Sequence, residues 1–517
     1  MFGRPALAKR RPNGRAVPTR PAPEETDNLE KRCHVVFIGS ECYPFVKTGG
    51  LGDVIFALPR ALTPLNCEVR VMLPRYACIP EEYQRRMAFR GDFMMNLCAD
   101  GWEFYVGIYE LEQDGVVYTF LENDDFFSWG RPYTDLGKDV AKYCYFGKAA
   151  LAALNYIGCT PDLLHCHDWQ ASLVPVYLRT LFADTPVARA KCLLTIHNLR
   201  FQGVHNIPTV QYWSGLPSYL FHYTLLKEGW DDANMFKGGL AFADSITTVS
   251  PSYAEEIQTP EYGEHLDAHL RYHAGKLCGI VNGIDTALWD SRTDPLLAFR
   301  YDETDAPEKK ALNKRALQAE LGLDAAVDCL LLGLVSRQTD QKGLDLLAAV
   351  LPELLDGKTQ LVVLGTGDPR YEDIFRRFET DNPGTVCARI CYDEALAHRI
   401  YAGADALLIP SRFEPCGLTQ LIAMRYGTVP IVRETGGLRD TVEAFTDGTR
   451  GGNGFCFCDY APEQLLDAVD RAKLVYFFKR QQWNDIVLRD MGKDVSWDGS
   501  ARQYRRLYLR LLAPQKN

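Results

Sequence analysis

The sequence predicts an α/β protein built from two open, doubly wound domains that face one cleft. Three observations carry that expectation. The chain has 517 residues, more than one hydrophobic core usually spans. Short apolar runs of strand length alternate with helix-length segments, which implies largely parallel sheets covered on both faces. That alternation stops in a charged stretch, 294–323, and then begins again.

Order is expected to begin at Cys33, where 33–40 reads as a strand ending in small residues. The glycine-rich stretch 47–54 follows and leads into a helix over 55–62. Further strands are expected at 68–73, 116–121, 163–166, 192–196 and 245–249, with helices over 140–156 and 170–182 between some of them. After the charged stretch come strands at 329–335, 360–364, 386–390, 406–409 and 429–432, and a helix over 500–512 ends the pattern. The expected division is a basic arm over 1–32, a first domain over 33–285, a second over 286–492, and a terminal segment over 493–517.

Bulk composition removes several classes of function. A net charge of -10 argues against a broad nucleic-acid-binding face. No apolar run is long enough to span a bilayer, so no membrane partner is expected. The 16 cysteines include no Cys-x-x-Cys pair. Cys456 with Cys458, and Cys387 with Cys391, lack partner pairs at zinc spacing. Reduced thiols in a cytoplasmic protein, or one held in a plastid, are the expected reading. The first 32 residues carry Arg4, Lys9, Arg10, Arg11, Arg15 and Arg20 with no apolar core, so they read as a disordered arm and not as a secretory signal.

Five stretches at strand ends carry chemistry. The first contains Lys47, Gly49, Gly50, Gly52 and Asp53. Glycines between a strand and a helix let the backbone approach a phosphate, and Lys47 adds positive charge. The spacing fits neither a dinucleotide fingerprint nor a P-loop, so a turn required by packing stands as an equal reading. The second contains His165, His167, Asp168, Trp169 and Gln170. We expect its two imidazoles to leave opposite faces of the strand, and no third ligand stands at metal spacing. Substrate contact leads there, with structural hydrogen bonding as the alternative.

The third stretch contains His197, Asn198 and Gln202. Imidazole and amide groups both donate and accept, which suits sugar hydroxyls; capping of a turn is the competing reading. In the fourth, Arg337 and Lys342 lie five residues apart across a turn, a spacing that can fold two cations around one diphosphate or can be plain surface charge. Gly365 and Gly367 offer a close-approach turn nearby. The fifth runs from Ser411 to Gln420 and holds Glu414, Cys416, Gly417, Leu418 and Thr419 at the start of a helix, where amides attract anions. Glu414 could accept from sugar hydroxyls or serve only as an acid at a helix start. Thr435, Gly436 and Gly437 form a further glycine turn.

Placed in order, these stretches resemble the bacterial glycogen synthases and plant starch synthases of glycosyltransferase family 5. The phrases KTGGLGDV, HCHDW, NGID at 282–285, SRFEPCGLTQL and TGGLRDTV carry the resemblance, which runs from about residue 33 to the C-terminal region. It implies the GT-B fold, two Rossmann-like domains across a cleft, with the terminal helix returning to the first domain. Residue by residue, it implies Lys47 and Gly50 near donor phosphates and the reacting sugar, with Asp53 in the same motif. It also implies His167 beside the glucose, Asn282 in the donor pocket, and Arg337 and Lys342 on the diphosphate. Glu414 with Cys416, Gly417, Leu418 and Thr419 would surround sugar and phosphate, and Tyr392 would stack on adenine. We expect Asp53, His197, Asn198 and Gln202 on the sugar and acceptor side. Phe201 stands where the family often has tyrosine, which removes a hydroxyl near the acceptor.

The implied reaction moves glucose from ADP-glucose, with UDP-glucose as the other donor, to the nonreducing 4-OH of an α-1,4-glucan with retention. Paired carboxylates at double-displacement spacing are not visible as a motif. The resemblance therefore points to same-face attack, with the departing diphosphate helping to deprotonate the acceptor. No cofactor is implied, and no Asp-x-Asp occurs in the chain, so metal independence is expected. The rival readings are a related GT-B enzyme with another sugar nucleotide or a small acceptor, and a noncatalytic glucan-binding paralogue. A nicotinamide dehydrogenase is more distant, because the dinucleotide fingerprint is missing.

Overall fold

Runs such as CHVVFI and LLLGLV are apolar at nearly every position, as strands buried on both faces must be. In the computed structural model, which describes residues 31–128, 131–325, 328–447 and 451–514, these runs become the centres of two parallel sheets. The first half supplies β1 (Cys33–Ile38), β2 (Cys67–Pro74), β3 (Ala88–Asn96), β4 (Glu103–Gln113), β5 (Val116–Glu122) and β6 (Leu163–His167). It continues with β7 (Lys191–Ile196), β8 (Val204–Asn206), β9 (Lys227–Glu228), β10 (Asp232–Asn234), β11 (Ser245–Thr248) and β12 (Leu277–Gly279). The large sheet has the order β12-β11-β7-β6-β1-β2-β5-β4-β3, and β8, β10 and β9 form a small antiparallel one. The second half supplies β13 (Leu330–Val335), β14 (Thr359–Leu364), β15 (Val386–Arg389), β16 (Ala406–Ile409), β17 (Val429–Arg433) and β18 (Phe455–Phe457), in the order β15-β14-β13-β16-β17-β18.

Differences from the sequence reading have local causes. β3 and β4 extend the first sheet with antiparallel pairing. β3 lies at the sheet edge with most of its residues exposed or half-buried, so it lacks the continuous apolar run that marked the other strands. The helix expected over 170–182 is shorter, Leu173–Arg179, and follows a tight 3-10 turn. Asp168 sets that turn with φ 56°, outside the helical region. The first helix instead starts early, at Gly50, inside the glycine stretch.

Two cores result. One gathers buried side chains from Cys33 to Ile280 together with Trp497, Ala501, Tyr504, Leu507 and Tyr508. The other spans Ile284 to Val495. Helix Trp497–Leu512 thus leaves the second half and packs on the first, against helix Gly50–Leu62. The two crossings between cores run side by side: Ile284 bridges Ser496, and Ile284 N–H donates to Val495 at 2.9 Å. The basic arm expected over 1–32 lies outside the described residues apart from Lys31 and Arg32. Among the described residues no helix is long and apolar enough to cross a membrane, and all sixteen cysteines are free thiols.

The returning helix is tied in by a buried polar chain. His165 Nδ1 meets the Tyr508 hydroxyl at 2.8 Å, and its Nε2 meets Thr195 Oγ1 at 2.7 Å. Tyr508→Phe keeps the packing but strands one imidazole nitrogen in the core, at a cost of about 1–3 kcal/mol. A lowered urea midpoint for the first domain is the expected result, and an unchanged midpoint would contradict it.

Candidate active site

In each large sheet the chain leaves the middle in both directions, and loops at such a switch point splay apart to form a crevice. In the first sheet the switch lies between β1 and β6, whose following loops carry Lys47 and Asp168. In the second it lies between β13 and β16, whose loops carry Arg337, Lys342 and Glu414. These four loops converge on one cavity of about 1400 Å³ lined by both halves of the chain. Its wall includes Lys47, Gly50, Asp53, His197, Asn198, Gln202 and Asn282 from one side, and Arg337, Lys342, Tyr392, Glu414, Cys416, Gly417, Leu418 and Thr419 from the other. A Cβ on Gly50 would lie 3.3 Å from Leu418 Cδ1, so the two walls nearly touch there.

On the first wall the glycine loop is pinned by Glu41, a residue the motif reading passed over. Its buried carboxylate accepts from Thr48 Oγ1 at 2.7 Å, Gly49 N–H at 3.2 Å, Thr48 N–H and the Tyr133 hydroxyl. Only its position just past the end of β1 could have signalled it. Helix Gly50–Leu62 starts with no side-chain cap, leaving its first amides open. Lys47 pairs with Asp53 at 2.8 Å. Burial alone would lower the Lys47 pKa, but the Asp53 carboxylate outweighs it and the ammonium is held above its usual value.

The histidines correct one expectation. His165 and His167 do not leave opposite faces of β6; their ring centroids are 4.2 Å apart. Side chains alternate along a strand, so residues two apart share a face. His167 is fully buried and does not reach the cavity wall, whereas His197 does. His167 Nδ1 meets His197 Nε2 at 2.9 Å, while His167 Nε2 has no partner among the described residues. Burial drives the His167 pKa well below the usual imidazole value and that of His197 down to about 3, so both rings stay neutral. Gln202 also differs from a free hydroxyl-binding amide. Its Nε2 donates to Leu199 and Glu264 carbonyls at 3.0 and 2.8 Å, and its Oε1 accepts from Asn234 at 2.5 Å. It braces the turn behind His197.

On the second wall Glu414 is buried, and its Oε2 accepts from Lys342 Nζ at 2.6 Å and from Ser411 Oγ at 2.9 Å. Asn282 Oδ1 is buried without a partner among the described residues, and the Cys416 thiol beside it is pushed up to about 12 by burial. Helix Thr419–Arg425 lacks a side-chain cap. Tyr392 is 78% exposed on the cavity rim, a free aromatic face. The site cations are therefore unequal. Lys47 and Lys342 each hold a carboxylate, whereas the exposed Arg337 guanidinium has no side-chain partner among the described residues. Among those residues no group of three or more His, Cys, Asp or Glu is placed to hold a metal ion.

Asp168 links site and stability. It accepts from the His197 and Asn198 amides at 2.7 and 3.4 Å, yet burial outweighs these bonds and raises its pKa to about 7. A raised folded-state pKa adds stability that is complete below the usual carboxylate range and is lost as pH rises through about 7. Relative to Asp168→Asn, the wild type should lose thermal stability across that window and run parallel to the variant above it. A constant difference in Tm from pH 4 to 8 would contradict the assignment.

Comparison with known proteins agrees with this geometry. The family model described as "Starch synthase catalytic domain" matches residues 34–272, and that described as "Glycosyl transferases group 1" matches 329–472. The glycogen synthase of Lachnospira eligens is 47% identical over 477 residues, 92% of this chain and 99% of the relative. That of an Anaeromyxobacter species is 45% identical over 490 residues, covering 93% and 100%. Among solved structures, the catalytic domain of starch synthase IV from Arabidopsis thaliana, bound to ADP and acarbose, superposes with a TM-score of 0.85 at 35% identity, covering 94% of this chain and 100% of that one. Sucrose-phosphate synthase from Thermosynechococcus elongatus shares the fold, with a TM-score of 0.58 at 19% identity over 93% and 99%. The chain belongs to the glycogen and starch synthase family of GT-B glycosyltransferases.

Proposed function

We propose that the chain transfers glucose from ADP-glucose to the nonreducing 4-OH of an α-1,4-glucan, with retention of configuration, in the cleft between its two sheets. The observation that carries this reading is the meeting of Arg337, Lys342, Lys47 and an uncapped helix start at Gly50 in one cavity. Such a set neutralises a leaving diphosphate. The ADP and acarbose in the Arabidopsis enzyme favour adenosine over uridine and an oligosaccharide acceptor. The exposed ring of Tyr392 suits stacking on the base.

The proposed roles follow from which atoms are free. Arg337 meets the diphosphate first, and Lys342 joins it by leaving Glu414. Glu414 and the unpartnered Asn282 Oδ1 accept from sugar hydroxyls, while His167, behind the wall, acts through its bond to His197. Cys416, Gly417, Leu418 and Thr419 shape the donor pocket with their backbone. Asp53, His197 and Asn198 lie on the acceptor side, while Gln202 acts through the turn it braces. Four of the carboxylates that line the cavity are already engaged: Glu41 by the glycine loop, Asp53 by Lys47, Asp168 by two amides, and Glu414 by Lys342. None of these four stands free as a nucleophile, which supports same-face attack with the leaving diphosphate as the base. We divide the chain for this purpose at 33–285, 286–492 and 493–517, and place it in the cytoplasm.

Arg337→Ala and Lys342→Ala should each lower kcat/KM on the order of ten- to a hundredfold, the effect of one charge-assisted hydrogen bond. Radiolabel incorporation into glycogen from ADP-glucose and UDP-glucose, measured side by side, tests both residues and donor. Wild-type turnover in the double variant would overturn the assignment, and transfer to small acceptors alone would favour the related-enzyme reading. Activity should also survive EDTA; loss that Mg²⁺ restores would refute metal independence.

A further inference from the structure

Two short helices meet across the domain boundary and cap one another. Pro251–Glu256 belongs to the first core's half of the chain and Gly436–Thr441 to the second's. Asp440 accepts from Ser250 Oγ at 2.6 Å, Ser252 N–H at 3.0 Å and Ser252 Oγ at 2.6 Å, all at the start of the first helix. Glu256, at the end of that helix, accepts from Gly436 N–H at 2.9 Å and Thr435 Oγ1 at 3.2 Å, at the start of the second. Thr435 makes no cap bond to its own helix, so Glu256 supplies it. Each carboxylate thus meets the open amides and partial positive charge of the opposite helix.

The pair is braced at both ends against the active site. Gly437 N–H donates to the Glu414 carbonyl at 3.0 Å. A Cβ on Gly436 would lie 2.1 Å from that carbonyl oxygen, and one on Gly437 would lie 2.0 Å from the Cys416 carbonyl oxygen. The helix start therefore presses directly on the backbone that shapes the donor pocket. Gln420 Nε2 adds a bond to Thr441 Oγ1 at 3.2 Å. On the other side, the Tyr253 hydroxyl accepts from Leu199 N–H at 3.3 Å, in the turn that carries His197 and Asn198.

We propose that Glu256 and Asp440 are positioning residues for glucosyl transfer. They hold the Glu414–Thr419 turn in register with the His197–Asn198 turn, so that sugar contacts from one wall face leaving-group contacts from the other. This rests on the function proposed above, but not on which base the donor carries. Neither carboxylate lies on the cavity wall, so both act through the backbone they cap. Misregister between walls should slow the chemical step, which needs both walls, far more than it weakens the nucleotide, whose base contact at Tyr392 and two diphosphate cations, Arg337 and Lys342, belong to the second wall.

The test compares Glu256→Ala, Glu256→Gln and Asp440→Asn with the wild type by kcat, by ADP Kd from calorimetry, and by Tm. Glu256→Ala should lower kcat about tenfold or more and leave the ADP Kd within about twofold. Glu256→Gln keeps an acceptor oxygen for Gly436 N–H and should retain at least half of kcat. Should Glu256→Ala fail to fold, the milder Asp440→Asn reads the same split. An unchanged kcat, an ADP Kd weakening in step with kcat, or a glutamine variant as impaired as alanine would overturn the proposal. No glucan transfer by the wild type would overturn the functional reading along with it.

Discussion

The chain passes between its two cores twice, at Ile284 and at Ser496, and the passes are hydrogen-bonded to each other. This constraint decides which edges of the sheets face one another. A single covalent link would let the second core rotate freely about it. Two adjacent links, with helix Trp497–Leu512 buried in the first core, restrict relative motion to bending about that line. The switch points of both sheets then open on the same side. Separate binding loops become one cavity by topology, before any specific contact is made.

Within the cavity, charge is arranged economically. A buried cation without a partner is costly, and a buried pair is tolerated only when well bonded. Lys47 and Lys342 are half-sheltered, and each carries its own carboxylate. Arg337 stands exposed, where water screens it, and needs none. Lys47 and Lys342 are therefore neutralised where they are sheltered, and Arg337 keeps its charge where water can screen it.

Much of this could be read in the sequence, for definite reasons. Parallel strands announce themselves because both faces are buried, and the loops after them were located by the strands. β3 and β4 escaped because edge strand β3 buries little, and β4 beside it is buried mainly near its middle. His165 and His167, expected on opposite faces, share one because the strand period is two residues, as ring centroids 4.2 Å apart show. Gln202, Glu41 and Glu256 show a different limit. Whether an amide or carboxylate is free or spent depends on partners from 7 to about 180 residues away, and no local pattern records those distances. The motifs located the site; the division between contact and brace needed coordinates.

That division changes how the motif around Glu414 works. Its carboxylate is held by Lys342 and Ser411, and its carbonyl by the helix that Glu256 caps. The backbone is fixed independently of the side chain. On the proposed reading, a diphosphate that recruits Lys342 weakens one of the two bonds on Glu414 Oε2 and leaves that oxygen more basic toward a sugar hydroxyl. Because the backbone does not move with it, the gain appears as a stronger hydrogen bond and not as a slack loop. Arrival of the leaving group and grip on the sugar are thereby coupled through one ammonium. The coupling needs a rigid main chain at Glu414, which is what the capped helix start supplies.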